Sequence, residues 1–167
     1  MAVRQATPAD LAALVRVINR AYVVEAHIFH LERTSAADVS ERLARPNACF
    51  LVIDAQTEPP AHPVLAGAVY VETRGDRGYF GMLAVDPDAQ GRGLGRELIR
   101  AAEAYCRAAH CAFMDLDVVD QRAELPGFYA TLGFAPVGAT PFADASATKL
   151  PVRLIHMTKP LTEPRAR

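Results

Sequence analysis

Residues 82–110, MLAVDPDAQGRGLGRELIRAAEAYCRAAH, decide the fold. An apolar strand, Met82 to Val85, runs into the turn Asp86-Pro87-Asp88-Ala89 and then into Gln90-Gly91-Arg92-Gly93-Leu94-Gly95-Arg96. A helix leaves at once, because Leu94, Leu98, Ala101, Ala102 and Tyr105 recur at helical spacing. Three glycines at alternate positions remove Cβ atoms where a backbone bends tightly or approaches a ligand. The first N–H groups of a helix have no partner inside it and carry partial positive charge. Strand, Gly-rich turn and helix start therefore make an anion site, most often for phosphate. Arg92 and Arg96 add full charges beside it.

The glycine spacing separates phosphate ligands. A dinucleotide fingerprint needs G-x-G-x-x-G near the start of a βαβ unit. Here Arg96 stands at its third glycine, and about half of the chain precedes the turn. The Walker pattern G-x-x-x-x-G-K-[ST] is absent. What fits is Q-x-x-G-x-G, with Gln90, Gly93 and Gly95. After a strand reading MLAVDP, this pattern resembles the acyl-CoA pyrophosphate loop of the GCN5-related N-acetyltransferases, the GNAT superfamily.

The rest of the chain bounds the reading. At 167 residues it suits one domain, expected over 1–160 with a short C-terminal tail from 161. Apolar residues make up 51% and charged residues 22%, as in ordinary soluble domains. A net charge of −1 leaves no broad basic field, so no nucleic-acid partner is expected. It also argues against a strongly cationic acceptor such as a polyamine. Cys49, Cys106 and Cys111 lack metal spacing and read as free thiols in a reducing cytoplasm. The N-terminal MAVRQATPAD has no apolar signal run, and no long apolar stretch follows, so no membrane span is expected.

In chain order, Ala2–Gln5 is a short strand. Thr7-Pro8-Ala9-Asp10 starts a helix with a capping Thr, an early Pro and an acid three residues on. Leu11, Leu14, Val15, Ile18 and Tyr22 carry that helix, to about Ala26. A shorter helix starts at Thr34–Asp38 and stops before Pro46. Residues 48–55 (ACFLVIDA), 64–73 and 79–85 read as an antiparallel meander, with a hairpin loop over 56–62. After the central helix, Ala112–Val119 should lie parallel to the strand before the Gly turn, with Phe113, Leu116 and Val118 as apolar anchors. A short helix over 122–132 ends at Gly133. Phe134–Gly138 is a strand, 139–151 a loop, and Val152–Met157 closes the sheet before a tail frayed from Pro160. The fold class is α/β (α+β): a mixed, mostly antiparallel sheet flanked by helices, with one parallel pair.

This element order is that of the GNAT fold. A second stretch, PGFYATLGF over 126–134, is similar to the family's F-Y-x-x-L-G-F segment. The resemblance implies that the two parallel strands splay to admit the pantetheine arm. That arm would pair with backbone near Leu83, Ala84 and Val85, with the pyrophosphate on the amides of Gly91 to Arg96. Phe128 is expected beside the acyl-CoA. Tyr129 matches the family's common general acid: a thiolate leaves when an amine attacks a thioester, and a phenol can protonate it. Many members carry Asn seven residues before this Tyr, against the cofactor arm. Here Arg122 stands in its place, and the R-x-E-L-x-x-F-Y form is similar to one subgroup of the family. Arg122 and Glu124 either face the acceptor or pair along the helix surface.

The reaction also needs a base, and Glu72 and Glu25 are the candidates. Tyr22 and Arg33, near Glu25, are expected on the acceptor wall. Glu25 with His27 and His30 makes only a weak metal pattern, so no metal is expected. His156, on a strand, reads as structural. The resemblance thus implies transfer of an acetyl group from acetyl-CoA to a primary amine of a small molecule or peptide. The alternatives are an acyl-CoA-binding regulatory module without turnover, and a nucleotide-binding domain using the Gly turn for another diphosphate. Family members often pair through edge strands or the C-terminal hairpin, which makes a homodimer an expectation.

Overall fold

The computed structural model describes residues 2–55 and 63–161. Its strands are β1 (Val3–Gln5), β2 (Ala48–Asp54), β3 (Leu65–Arg74), β4 (Arg77–Val85), β5 (Phe113–Val119), β6 (Ala135–Pro141) and β7 (Arg153–Pro160). They form one seven-stranded sheet in the order β1-β2-β3-β4-β5-β7-β6. Every neighbouring pair is antiparallel except β4 with β5. That exception follows from the connection, a helical crossover, which returns the chain in the same direction.

Helices α1 (Leu11–Ala21) and α2 (Ala36–Leu43) cover one face, while α3 (Leu94–Ala108) and α4 (Leu125–Ala130) cover the other. Strand β2 shows why its sequence is apolar throughout. Cys49, Leu51 and Ile53 pack toward α3, and Phe50 and Val52 pack toward α1. A strand covered on both faces has no polar alternation to show. All three cysteines are buried free thiols. Burial pushes Cys49 up to about 11 and Cys106 up to about 12, so neither is a ready nucleophile.

Several boundaries differ from the sequence expectation. Helix α1 ends at Ala21 and tightens into a 3-10 turn over Tyr22–Glu25. Helix α4 is confined to Leu125–Ala130 rather than 122–132. Strand β6 runs on to Pro141, into the expected loop, and is exposed along its length. Its Pro, Gly and Ala residues give little strand signal, and pairing with β7 supplies the structure. Phe113 is not an inward anchor: it is exposed, and the Arg77 guanidinium stacks on it. Met114, Leu116 and Val118 share the buried face, as the two-residue period of a strand requires. The C-terminus is not frayed at Pro160, because Pro160 is still in β7 and the buried Leu161 bonds to Ala112. The hairpin loop over 56–62 and the tail from 162 lie outside the described residues.

The N-terminal helix start is locked by charge. Arg4 reaches Asp10 through two hydrogen bonds of 2.9 Å and also grips Asp54. Asp10 closes the capping box by accepting from the Thr7 N–H at 2.8 Å. These bonds, Arg4's first, hold the Asp10 carboxyl below the usual range although burial opposes them. A folded value below the unfolded one means that the stability Asp10 contributes is present above about pH 4 and is lost as pH falls through the folded value. Asp10→Ala is expected to cost about 1–3 kcal/mol in urea unfolding at neutral pH, and less below pH 3.

Candidate functional site

The site begins where the β4–β5 ladder stops. Only Arg77↔Phe113, Gly78↔Met114 and Tyr79↔Asp115 are paired. Strand β4 continues to Val85 and β5 to Val119 without further pairing to each other. The facing backbone edges of both strands are therefore free along a gap that opens toward the carboxyl end of β4. A bulge in β4 accompanies the opening. Ala68 pairs with Ala84 and Tyr70 with Gly81, so two β4 residues, Met82 and Leu83, stand against one in β3. Met82 takes the left-handed conformation, with φ +50, although it is buried. The extra residue shifts the alternation. Phe80 packs on the α3–α4 side, Met82 and Ala84 on the α1–α2 side, and Leu83 and Val85 again on the α3–α4 side.

At the open end the chain turns through a short 3-10 segment, Pro87–Ala89, into the Gly turn. Arg20 of α1 pins this corner by pairing with Asp86 at 2.8 Å and Asp88 at 3.0 Å. Gln90 folds back and donates to the Val85 carbonyl at 3.3 Å, so its side chain braces the loop. Gly91 and Gly93 have φ of +79 and +78, a region that side chains disfavour. Among the described residues no backbone carbonyl takes the N–H groups of Gly91 to Arg96. The first bond of the helix beyond runs from Glu97 to Gly93. These amides stand at the start of a 15-residue helix, where free N–H groups favour an anion. Arg92 is exposed at its edge. Arg96 stacks on Phe128 and reaches Thr131, joining the turn to α4.

Helix α4 delivers Tyr129 to the gap from the α3–α4 side. Its ring packs with Phe80, Phe128 and Phe134. The residue is buried, no hydrogen bond reaches its hydroxyl among the described residues, and as no buried side-chain oxygen or nitrogen there lacks a partner, the hydroxyl oxygen itself is accessible. Burial is the largest cause that holds the phenol protonated well above the ordinary tyrosine range. The result is a neutral O–H donor with no acceptor among the described residues.

The other side of the gap is polar. Tyr22 lies under the Arg33 guanidinium, whose carbon is 5.2 Å from the ring centre. Arg122 donates to Glu25 at 3.2 Å and to Glu124 at 2.6 Å, so Arg122 and Glu124 pair with each other and Arg122 also binds Glu25. Glu25 is buried, which raises its carboxyl above the usual range against the pull of Arg122 and Arg33. Tyr79 stands beside them with Arg74 over its ring. Gly81 makes room for that phenol, since a Cβ there would lie 2.9 Å from the Tyr79 hydroxyl.

Glu72 is differently placed. It projects toward α2, where Tyr70 and Arg74 bond to it and Arg45 pairs with it at 3.4 Å. Burial opposes ionisation, but these partners together hold its carboxyl below the usual range. Its oxygens are spoken for, which makes it a poor proton acceptor.

One constellation was not singled out from the sequence. Asp117 of β5 meets His156 of β7 at 2.5 Å, and the second ring nitrogen of His156 lies 2.9 Å from Thr140 of β6. The three residues come from strands that are neighbours in space and far apart in sequence. Among the described residues no group of three His, Cys, Asp or Glu side chains is gathered as a metal site would require. No helix among them is long and apolar enough to cross a membrane.

The family model described as the acetyltransferase (GNAT) family matches residues 13–134. Glucosamine 6-phosphate N-acetyltransferase 1 of Oryza sativa subsp. japonica is 34% identical over 99 residues, 56% of this chain. The match spans 58% of that enzyme's length. The ribosomal-protein-S18-alanine N-acetyltransferase of Escherichia coli superposes with a TM-score of 0.74 at 18% identity, over 98% of this chain and 95% of that one. The yncA protein of Salmonella typhimurium, solved with its cofactor acetyl-CoA, gives 0.72 at 22% identity over 100% and 97%. These structural likenesses bear on the fold.

Proposed function

Because the chain belongs to the GNAT acetyltransferase family, we propose that it moves an acetyl group from acetyl-CoA to a primary amine by direct attack in a ternary complex. The observation that carries this reading is the gap itself. The β4–β5 ladder releases after Tyr79 and Asp115. At the far end of the gap lie amides, and at one side a phenol, that have no hydrogen-bond partner among the described residues. The amides of Gly91 to Arg96 suit a pyrophosphate, with Arg92 and Arg96 adding charge. The free edge of β4 at Leu83, Ala84 and Val85 offers strand donors and acceptors to an amide-bearing arm. A strand N–H in the same stretch serves the oxyanion of the tetrahedral intermediate. Tyr129 protonates the leaving thiolate.

The acceptor enters from the polar side, over Tyr22, Arg33, Glu25, Arg122 and Glu124. With Arg122 turned to Glu25 and Glu124, its role is proposed on the acceptor wall rather than at the cofactor arm. Glu25 holds that guanidinium in place. An amino-sugar phosphate, the acceptor in the name of the rice relative, heads the amines to try. Small amines and peptide amines follow, and a soluble cytoplasmic setting suits all of them.

Calorimetric titration of the protein with acetyl-CoA, NAD and ATP tests the nucleotide half of this reading. Acetyl-CoA is expected to bind, and NAD and ATP to bind weakly or not at all. Preference for NAD or ATP would return the Gly turn to a different diphosphate.

A further inference from the structure

With Glu72 enclosed by cations and Glu25 bound to Arg122, the acetyl transfer proposed above still lacks a group to take the amine's proton. We propose that Asp117 is that group, and that His156 and Thr140 are positioning residues that hold its carboxylate toward the gap. The inference rests on the acetyl-transfer reading and deepens it.

Register places Asp117 at the opening. Asp115 is the last β5 residue paired with β4, opposite Tyr79. Asp117 lies two residues further on, with its side chain on the same face, level with Gly81 across the gap. Gly81 presents no side chain of its own, and the Tyr79 phenol lies over it. On that face the carboxylate is therefore next to the splayed edge, on the side opposite the α4 face from which Tyr129 enters. One phenol and one carboxylate then flank the gap from its two faces, so a proton donor and a proton acceptor are available as separate groups.

The chain of bonds behind Asp117 has a direction. His156 pairs opposite Asp117 in the β5–β7 ladder. Its Nδ1 is 2.5 Å from Oδ1, so Nδ1 donates and the carboxylate accepts. Nε2 then carries the lone pair, and the Thr140 hydroxyl donates to it at 2.9 Å. Thr140 fixes the tautomer and His156 fixes the carboxylate. Among the described residues nothing bonds to Oδ2, and Asp117 is exposed. The working oxygen is thus the one left free.

The neighbouring charges leave Asp117 to this task. On β4, Arg77 is taken by Asp115 of β5 and Thr158 of β7. Tyr79 lies close enough for the Asp117 charge to be the main electrostatic influence raising its phenol, after burial. Arg33 and Arg74 act on Tyr79 in the opposite sense and favour its ionised form. No cation other than a protonated His156 pairs with Asp117 among the described residues.

The step balances. The ammonium nitrogen of the acceptor gives a proton to Asp117 Oδ2, and its lone pair attacks the thioester carbonyl. The C–N bond forms and the C–S bond breaks, with the thiolate taking the Tyr129 proton. The amide nitrogen loses its second proton, which restores Tyr129 through solvent. Asp117 releases its own to water, for a net yield of one proton.

The test is kcat/KM for thiol release, measured across pH, for the parent, Asp117→Asn, His156→Gln and Glu25→Gln. Two acceptors are compared: an alkylammonium, and methoxyamine, which is already neutral at assay pH. Asp117→Asn is expected to lose about a hundredfold with the alkylammonium and to lose its acid limb, yet to change little with methoxyamine. His156→Gln should lose about tenfold and displace the acid limb. Glu25→Gln should keep the limb. Thermal melting confirms that each variant is folded. Equal losses of Asp117→Asn with both acceptors, or an acid limb that disappears with Glu25→Gln instead, would overturn the assignment. A parent that turns over no amine brings down the acetyl-transfer reading itself.

Discussion

Tyr129→Phe is expected to bind acetyl-CoA as the parent does and to lose about a hundredfold or more in kcat. The two halves of that expectation have separate causes. The phenyl ring keeps every contact the tyrosine ring makes with Phe80, Phe128 and Phe134, so packing and fold survive. What disappears is one O–H, which burial keeps protonated and which has no acceptor among the described residues. A donor kept neutral and unused in the resting protein is suited to a leaving thiolate. Without it the thiolate departs unprotonated, and the barrier rises by the worth of one proton transfer. A weaker acetyl-CoA affinity with unchanged kcat would make Tyr129 a packing residue.

Gly93→Glu is expected to abolish measurable acetyl-CoA binding, a loss of about a hundredfold or more. Two effects act together. With φ at +78, any side chain there costs about 1–2 kcal/mol of backbone strain. The carboxylate also brings negative charge to the N–H donors at the start of α3, where an incoming pyrophosphate would need them. Gly93→Ala separates the two, because it carries the strain without the charge. Its affinity should fall by about tenfold, between parent and glutamate variant. The space around a Cβ at Gly93 is open, so steric collision with the protein is not the cause in either variant. Equal affinities of glutamate variant and parent would remove the phosphate from this turn.

Much of the framework was legible because the chain spells it locally. The strand, the Gly turn and the helix from 82 to 108 are contiguous, and the structure keeps their order and type. The parallel pairing of β4 with β5 followed from the helical crossover. The aromatic segment around Tyr129 was legible through its resemblance to the family's F-Y-x-x-L-G-F stretch. The polar side of the gap was not legible in the same way. Asp117, Thr140 and His156 meet only because β7 inserts between β5 and β6, an order that no local pattern announces. His156 alone looks like an ordinary strand residue until Asp117 and Thr140 are placed at its two nitrogens. Strand β6 was truncated because APVGATP lacks the branched and aromatic residues that mark strands. Glu72 and Glu25 looked equivalent in sequence, and only their partners separate them. One is enclosed by Arg45, Arg74 and Tyr70, the other is bound by Arg122.

The central claim is turnover, and amine-dependent release of free thiol from acetyl-CoA tests it most directly, with the acetylated amine identified by mass. The protein is expected to release thiol in step with acetylated product for at least one amine in a panel led by glucosamine 6-phosphate. It should release none without an amine. Binding of acetyl-CoA with no amine-dependent release across the panel would contradict the account and make the chain an acyl-CoA-binding module of the same fold.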